Sequence, residues 1–556
     1  MGQLVTVGSP MMTRSVKRFA SLAWIALGWG VLTAHVGTQQ VVFEGTAGGY
    51  PVRVMITPPG VVPAQVGILV RVLEGTPTRV SVRAAQWNVG LKGAPPAEDA
   101  ALVPGDPGVW SHDLWIMTSS TYAVYVAVEG PAGSGSLVVP LQSAATRTLG
   151  MTGGMGAMLL VLGALLVMGV LTIVGAAIRE GSLVSGAAPS PARQRTARIA
   201  MASTAGILAL ALFGGSKWWN AAEAEYRRRL FRPIAIDVTL QAVDANRVLT
   251  IAVTDSLWRT NRLTPLMPDH GKLMHLFLIR ADDNDVIAHV HPLRIQADTF
   301  VTRLPALPAG KYLLFGDVLF QNGAQRTLVD TIDVPVAPVV AGDTGVVASS
   351  ARGLSKALSA FDADDAWRVV QASPLGAASM LASGGTVTLL TDAPAVVGRD
   401  LRLVATVRDA NGAMSTLEPY MGMAGHAMVL RRDGGVFMHL HPMGSASMTA
   451  QAQLIRRERG DTAMLDSSAI ARVMSDIDST SPMGARHAMH MDQTATVSFP
   501  FAFPTVGIYR IFVQVKRRGV IETAAFDVTV GAPYASGVST SASTAPAVAR
   551  PPAPTP

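Results

Sequence analysis

The chain has 556 residues, 49% of them hydrophobic, with a formal net charge of +7 and no cysteine. The length predicts about three or four domains. Without cysteine, disulfides, thiolate zinc sites and a copper centre with a cysteine ligand are all excluded. The basic residues cluster beside apolar segments and form no aromatic-studded basic surface, so we expect no nucleic-acid partner.

Residues 1–40 are predicted to be a signal peptide or a retained anchor helix. Arg14, Lys17 and Arg18 precede a long uncharged run, which is the pattern of an export signal. The small-x-small cleavage site is poorly formed, so the cleaved and the retained forms both stay open.

Residues 41–146 contain short runs of alternating apolar and polar residues, separated by glycine and proline. This pattern predicts an N-terminal β-sandwich, which we interpret as an interaction or scaffold module. Its lone His112 has no other ligand residues nearby in the sequence, which favours a structural or surface role over metal binding.

Residues 151–178 and 199–219 are predicted to form two transmembrane helices. Both contain uncharged runs long enough to cross a hydrocarbon core of about 30 Å. The segment between them, 179–198, has four arginines and one glutamate and is therefore predicted to lie in the cytoplasm. The sandwiches would then face the periplasm from a bacterial inner membrane, although the arginines at 227–229 weaken this argument.

Histidines are concentrated in two segments that both end in H-x-H-P. Seven of the 11 histidines lie there: His270, His275, His289 and His291 in the first segment, and His426, His439 and His441 in the second. Each segment has two apolar runs around a turn, which predicts a β-hairpin. Alternate residues of a strand share a face, so both histidines of H-x-H can reach one ion, and a histidine of the opposite strand can close towards them. Each hairpin is therefore predicted to form a metal site.

Each hairpin lies in a larger module that is repeated. Strand patterns such as LPAGKYLLFGDVLF and FPTVGIYRIFVQV recur at matching positions, which predicts two copies of one β-sandwich at 234–338 and 385–532. We expect a linker at 339–384 between them, a long insertion at 443–498 in the second copy, and a disordered tail at 533–556.

Methionines crowd around the second hairpin, where 12 of the 25 lie between residues 414 and 491. Thioether sulfur binds Cu(I), whereas imidazole also accepts Cu(II). Met421, Met423 and two histidines of the insertion, His487 and His490, are therefore candidate ligands.

The two predicted sites differ at one position, because His270 of the first copy corresponds by spacing to Met421 of the second. The first site would then be rich in nitrogen and prefer Cu(II) or zinc, and the second, partly sulfur, would tolerate Cu(I). Core packing is the competing explanation for methionines that alternate within strands, such as Met428 and Met438. Histidines at strand ends can also be structural.

The motifs HGKLMHLFLIR with HVHP, and GHAMVL with HLHP, resemble small periplasmic immunoglobulin-like or cupredoxin-like modules of bacterial copper and heavy-metal handling, of the YtkA-like and CopC-like kind. The resemblance covers 234–338 and 385–532. It implies that the seven histidines are the ligands, and that the activity is metal binding and delivery rather than turnover.

The predicted fold class is mainly β, with three immunoglobulin-like or cupredoxin-like sandwiches, two transmembrane helices and the N-terminal signal or anchor helix. The predicted function is that of a membrane-anchored periplasmic protein that binds copper, with zinc and nickel as alternatives, for resistance, sensing or delivery. Its partners would be the metal ion, the lipid bilayer and a membrane transport or sensor protein. A non-catalytic interaction scaffold with structural histidines is the alternative. A mononuclear metalloenzyme is disfavoured, since no glutamate accompanies H-x-H.

Overall fold

The computed structural model describes residues 40–184, 186–243, 246–260, 263–336, 361–465 and 495–533. It confirms a mainly β fold, with antiparallel sheets paired into three sandwiches, and two long apolar helices. The predicted signal or anchor helix and the predicted disordered tail lie almost entirely outside the described residues.

The N-terminal sandwich is built from the chain between residues 41 and 143. Its strands are β1 (Val41–Ala47), β2 (Tyr50–Thr57), β3 (Ala64–Val72), β4 (Arg79–Gln86), β5 (Glu98–Asp99), β6 (Ala101–Leu102), β7 (Val109–Ile116), β8 (Ser120–Gly130) and β9 (Gly133–Ser143), with a 3-10 helix at Leu91–Gly93. One sheet has the order β1-β2-β3-β7-β6 and the other β5-β4-β8-β9. Alternate strand residues fill the space between the sheets, as the alternating sequence predicts.

Two long helices follow, α1 (Gly153–Glu180) and α2 (Pro191–Arg228). Both are long and apolar enough to cross a membrane. The turn between them is shorter than the predicted loop, because Pro191 starts α2 and the side chain of Ser190 caps it. At the far end, Arg227 and Arg228 form the end of the same helix and Arg229 is its C-cap. These arginines pair with Glu223 and Glu225.

The second sandwich contains the first histidine hairpin. Its strands are β10 (Ile236–Val243), β11 (Asn246–Val253), β12 (Leu266–Met267), β13 (His275–Arg280), β14 (Val286–Val290), β15 (Leu293–Gln296), β16 (Thr299–Leu304), β17 (Gly310–Phe320) and β18 (Gln325–Val334), with a short helix α3 (Ser256–Arg259). One sheet has the order β10-β11-β16-β15, and the other is built on β12-β17-β13-β14, with β18 also beside β17.

The third sandwich repeats this arrangement around the second hairpin. Its strands are β20 (Ala372–Pro374), β21 (Ala378–Met380), β22 (Thr386–Thr391), β23 (Asp400–Arg408), β24 (His426–Arg431), β25 (Phe437–Leu440), β26 (Thr496–Ala502), β27 (Gly507–Arg517) and β28 (Val520–Val530). The sheets have the orders β20-β28-β27-β24-β25 and β21-β22-β23-β26. Strands β24, β25 and β27 thus correspond to β13, β14 and β17.

The predicted linker 339–384 contains strands in its described part. β19 (Ala366–Val369) adds to the second sandwich beside β14, whereas β20 and β21 belong to the third sandwich. These strands are three or four residues long, too short for a clear alternating pattern, and this explains why the sequence suggested a linker.

The second and third sandwiches pack face to face through their hairpin sheets. Phe277 and Phe315 from one sheet meet Met428, Phe437 and Phe512 from the other in a buried apolar cluster. The rings of Phe315 and Phe437 stack with centroids 4.1 Å apart. Both faces of β13 and of β24 are therefore buried, one against its own sandwich core and one against the partner sandwich.

The N-terminal sandwich docks on the third sandwich through an ion-pair network. Arg53 contacts Glu44 and Asp400, and Arg71 also contacts Asp400. Arg402 of the third sandwich reaches back to Glu44. Because Arg53 and Asp400 are almost fully buried, these pairs hold the two sandwiches in one relative position.

The described part of the predicted insertion is a helix, α4 (Met448–Glu458), that packs between sandwiches. Leu454 contacts the N-terminal sandwich, and Ala450 contacts the second sandwich. The side chain of Ser447 caps the helix. The rest of the insertion, 466–494, including His487 and His490, lies outside the described residues.

Candidate metal centre

Strand alternation places the histidines of both hairpins at the interface between the second and third sandwiches. On β13, His275 shares a face with Phe277 and Ile279, which pack against the partner sheet, while the residues between them fill the core. On β24, His426 shares its face with interface residues in the same way. The seven motif histidines therefore form one buried cluster in place of two separate sites.

Two histidine triads lie in this cluster, one from each sandwich. The first triad is His275, His289 and His291, and the second triad is His426, His439 and His441. Within each triad, one ring nitrogen of every histidine lies within 4.8 Å of the others. None of the six side chains belongs to a residue more than 5% exposed. This arrangement could hold a metal ion in each triad.

The first triad is held in one tautomeric state by its surroundings. His275 Nε2 lies 3.0 Å from the carbonyl oxygen of Asp269, to which it must donate, so Nδ1 carries the lone pair. His289 Nδ1 donates to Gln514 Oε1 at 3.0 Å, so its Nε2 carries the lone pair. These two lone-pair nitrogens face each other at 3.2 Å. Two acceptors this close repel unless a cation lies between them.

The second triad repeats this geometry. His426 Nε2 donates to the carbonyl oxygen of Tyr420 at 3.2 Å, and His426 Nδ1 faces His439 Nε2 at 3.2 Å. Nitrogen ligands at 2.0–2.1 Å from a tetrahedral ion would lie about 3.3 Å apart. The spacing in both triads thus fits a pair of imidazoles on one first-row metal ion.

Each sandwich supplies a polar partner to the other sandwich's triad. Gln514, opposite His426 in the β24–β27 register, reaches His289. Asp317, opposite His275 in the β13–β17 register, lies 3.6 Å from His439 Nδ1. Gln514 is a hydrogen-bond partner of His289, whereas Asp317 is a neighbouring carboxylate beyond hydrogen-bond distance of His439. Polar neighbours of this kind typically orient ligand histidines in metal sites. The centre is therefore built reciprocally by the two sandwiches.

His291 has a carboxylate partner from the chain before β19. Asp365 Oδ1 accepts from His291 Nδ1 and from its backbone N–H, both at 2.9 Å. The Nε2 atom of His291 is buried and has no hydrogen-bond partner among the described residues. The ring is thus held by Nδ1 and presents a free lone pair at Nε2, as a metal ligand requires.

Burial keeps these imidazoles neutral. It lowers the pKa of His275 to about 4 and that of His441 to about 3. Burial also lowers the pKa of the other four triad histidines well below the ordinary value, and neighbouring imidazoles add to the effect. Neutral imidazole is the form that binds a metal ion, so at neutral pH no proton has to be displaced from the lone pairs.

His270 and Met421 occupy equivalent turns, as their sequence spacing predicts. Both have φ of 50°, and a glycine with positive φ follows each. Backbone hydrogen bonds between Asp269 and Lys272 close one turn, and bonds between Tyr420 and Met423 close the other. A bulky residue at the first position of such a turn is conformationally unfavourable, which suggests that these side chains serve another purpose.

The turn of the second sandwich carries His270 across the interface towards the second triad. Its ring centroid lies 4.9 Å from that of His441 and 6.2 Å from that of His275. Asp269, His270 and His441 form a further group whose ligand atoms lie within 4.8 Å of one another. The sequence had suggested that His270 belongs to the site of its own hairpin. Its position near the other sandwich's triad follows from the packing of the two sheets, which no local sequence pattern encodes.

The other candidates from the sequence lie in ordinary packing or surface positions. Met423 is buried behind its turn, Met428 is part of the interface cluster, and Met438 packs on the core of the third sandwich. His112 lies on the N-terminal sandwich, 2.9 Å from Glu98. The packing explanation for Met428 and Met438 therefore agrees with the structure.

Asp317, Asp365 and Gln514 are the site residues that sequence reasoning missed. Asp317 had a visible signal, since it is the single charged residue in the apolar run YLLFGDVLF. Asp365 lies in the segment that resembled a linker. Gln514 gave no signal, because its role depends on the packing of one sandwich against another.

A cavity of about 120 Å³ reaches the centre from the junction of the three sandwiches. Asp317 and His439 line its inner side, and Gln142, Arg326 and Ala446 are among the residues that line the rest.

A family model described as a domain of unknown function, DUF8832, matches residues 234–335, 380–463 and 479–532. The match thus follows the second and third sandwiches and includes both histidine motifs. No curated protein matches the chain.

Solved structures show only weak likeness. Dimeric latent PorU from Porphyromonas gingivalis is 9% identical over 89% of this chain, which spans 34% of PorU, with a TM-score of 0.14. A putative membrane anchored protein from Corynebacterium diphtheriae is 12% identical over 89% of this chain and 96% of its own, with a TM-score of 0.13. An ICAM-5 D1–D4 ectodomain fragment is 8% identical over 87% and 83%, with a TM-score of 0.14. These values are too low to assign a fold or a function.

Proposed function

We propose that this is a membrane-anchored protein that binds metal ions, with copper as the cargo, at the interface of its second and third sandwiches. The observation that carries the proposal is the pair of buried triads, in each of which two imidazole nitrogens face each other at 3.2 Å. Buried polar atoms normally have partners. One metal ion in each triad would supply the missing partner.

The donor set supports copper, with zinc and nickel as alternatives. Imidazole suits all three metals. Met421 occupies a turn equivalent to that of His270, and from there its thioether would serve one half of the centre. Soft sulfur selects Cu(I) over zinc. The remaining ligands are neutral imidazoles, which accept either oxidation state of copper. This donor set would serve to bind the metal ion and deliver it to a transport or sensor protein, or to sequester it for resistance.

A periplasmic position at a bacterial inner membrane is the location we propose. The turn between α1 and α2 is flanked by Arg179 and Arg193, and positive charge of this kind favours the cytoplasmic side. The chain leaves the N-terminal sandwich into α1 and returns from α2 beside the same sandwich, where Phe231 N–H donates to the carbonyl oxygen of Ala145. All three sandwiches then lie on the side opposite the turn.

The experiment that tests the binding proposal is a metal titration of the full chain in detergent after chelator treatment. We expect tight Cu(II) binding that is lost in stages, with His289→Ala/His291→Ala removing one ion and His439→Ala/His441→Ala removing at least one more. His112→Ala, on the N-terminal sandwich, is the matched control and should bind as the unaltered chain does. A chelator-treated chain that takes up no copper, zinc or nickel contradicts the proposal and leaves a scaffold with structural histidines.

A further inference from the structure

His441 differs from the other triad histidines in its hydrogen bonding. Its side chain is fully buried, and neither Nδ1 nor Nε2 has a hydrogen-bond partner among the described residues. The corresponding His291 uses Nδ1 for Asp365 and leaves one nitrogen free. A buried imidazole with no partner at either nitrogen is unfavourable, since its polar atoms lose water and gain no hydrogen bond in return.

His441 also belongs to two groups of ligand atoms. One group is the second triad, with His426 and His439, and the other contains Asp269 and His270 from the second sandwich. An imidazole has two ring nitrogens that point in different directions. One nitrogen can therefore serve each group.

Asp269 provides a separate indication of a cation at this place. Its residue is 7% exposed, and its carboxylate accepts from Ser447 Oγ at 2.9 Å. Among the described ion pairs, its only partner is His270, at 3.6 Å. The nearby Lys272 is engaged by Asp362 and Asp364 instead. A buried carboxylate without a lysine or arginine normally needs a bound cation.

We propose that His441 bridges two divalent metal ions, one in the second triad and one held by Asp269 and His270. This inference rests on the proposed function, because it requires the second triad to bind its ion. The added position has a carboxylate oxygen and two imidazole nitrogens, a donor set that suits Zn²⁺ or Cu²⁺. The centre as a whole would then hold three ions, one for each of these two positions and one in the first triad.

The bridge forms by loss of a proton and no change in oxidation state. A neutral His441 carries one N–H, and its other nitrogen binds the first ion through its lone pair. When the second ion binds, the N–H bond breaks, the proton leaves to solvent, and its electron pair forms the new metal–nitrogen bond. The imidazolate and the Asp269 carboxylate each carry one negative charge, which together offset the charge of the added ion.

His291 of the first triad also lies in a further group, with the carboxylates of Asp362 and Asp365. Asp362 is already paired with Lys272, and Asp365 already accepts from His291 Nδ1. Among the described residues, this side of the centre has no counterpart of the pair Asp269 and His270.

Tyr420 stands where Asp269 stands in the other copy, and its hydroxyl is used by His289 Nδ1 and by the carbonyl oxygen of Asp364. Met421 stands where His270 stands. Among the described residues, a carboxylate without a cationic side chain combined with an extra imidazole is therefore found on the side of the second triad.

The test is the metal content and the magnetic state of the full chain loaded with Cu(II) in detergent. We expect three copper ions per chain, and a paramagnetic resonance intensity clearly below the copper content, because two ions joined through one imidazolate couple. His270→Ala should reduce the content by one ion and restore full intensity for the two that remain. Asp269→Asn keeps an oxygen for Ser447 and should give the same result, and His112→Ala should change nothing.

The outcomes separate this inference from the function on which it rests. Two ions per chain with full intensity, unchanged in His270→Ala, would overturn the bridge while the two triads stand. A loss of affinity without a loss of an ion in His270→Ala would make His270 a fourth ligand of the second triad, which also overturns it. No bound metal at all overturns both proposals. If His270→Ala does not fold, the intensity and the copper content of the unaltered chain decide the question.

Discussion

Replacing Asp365 by alanine isolates the role of a residue that orients one ligand without belonging to its triad. The Asp365 carboxylate is the described partner of His291 Nδ1 and also binds the backbone N–H of His291, both at 2.9 Å. With alanine at 365, both donors lose this partner and the ring is free to turn. The Nε2 lone pair is then no longer aimed at the first triad.

The size of the effect follows from this geometry. Loss of a hydrogen-bonding partner of a metal-ligating histidine costs roughly 10- to 100-fold in affinity, or about 1.4–2.7 kcal/mol. Only the ion in the first triad should be affected, since Asp365 does not contact the second triad's histidines in any described contact. Asp365→Asn keeps an oxygen acceptor at the same place, so we expect it to retain most of the affinity.

The assay is a Cu(II) titration of the full chain against a competing chelator, with Asp364→Ala as matched control. Asp364 lies in the same short segment, but its side chain pairs with Lys272 and not with a histidine. We expect the Asp365→Ala chain to bind one of its ions more weakly, and the control to bind all of its ions with unchanged affinity. Equal weakening in both variants would show that the segment matters only for folding, and no change in either would refute the assigned role of Asp365.

Three further predictions address the interface, the protonation of the cluster and the choice of metal. Phe437→Ala should lower the free energy of unfolding by about 3–5 kcal/mol, because Phe437 stacks on Phe315 between the two sandwiches. Chemical denaturation measures this loss. Phe361 is exposed, so Phe361→Ala should lower the free energy of unfolding much less. The metal-free chain should lose stability as pH falls from about 6.5 towards 4. The pKa of His275 is lowered from 6.5 to about 4, so the unfolded state takes up the proton first, and the free energy of unfolding falls by about 3 kcal/mol for this residue. A melting temperature that stays constant over this pH range contradicts a buried neutral cluster. Met421→Ala should weaken Cu(I) binding and leave zinc binding unchanged, and equal Cu(I) affinity before and after the change counts against a sulfur ligand.

The sequence was sufficient for the elements and for the presence of histidine groups that could hold a metal ion. Alternation and turn residues predicted the sandwiches and hairpins, and uncharged runs predicted α1 and α2. The H-x-H spacing correctly placed His289 and His291 on one face. These features are local, so a linear pattern is enough to predict them.

The joining of the two hairpins into one centre could not be predicted in the same way. It depends on which sheet face of one sandwich covers which face of the other. A partial signal was present, since the strand HLFLIR, 275–280, has no polar residue between its first and its last. An uninterrupted apolar run of this kind indicates burial on both faces. The contacts of Gln514 with His289 and of Asp317 with His439 then follow from that packing alone.

The reciprocal contacts at the centre suggest how such a protein could arise. A single ancestral sandwich would have held only half of the polar partners, and two identical copies related by a twofold axis would have completed each other. Tandem fusion of the two copies removes the need to find a partner by diffusion. Fusion also allows the two copies to diverge in sequence. His270 and Met421, at equivalent turn positions, are an example. An engineered chain with histidine at both positions would give the two halves the same donor at this turn.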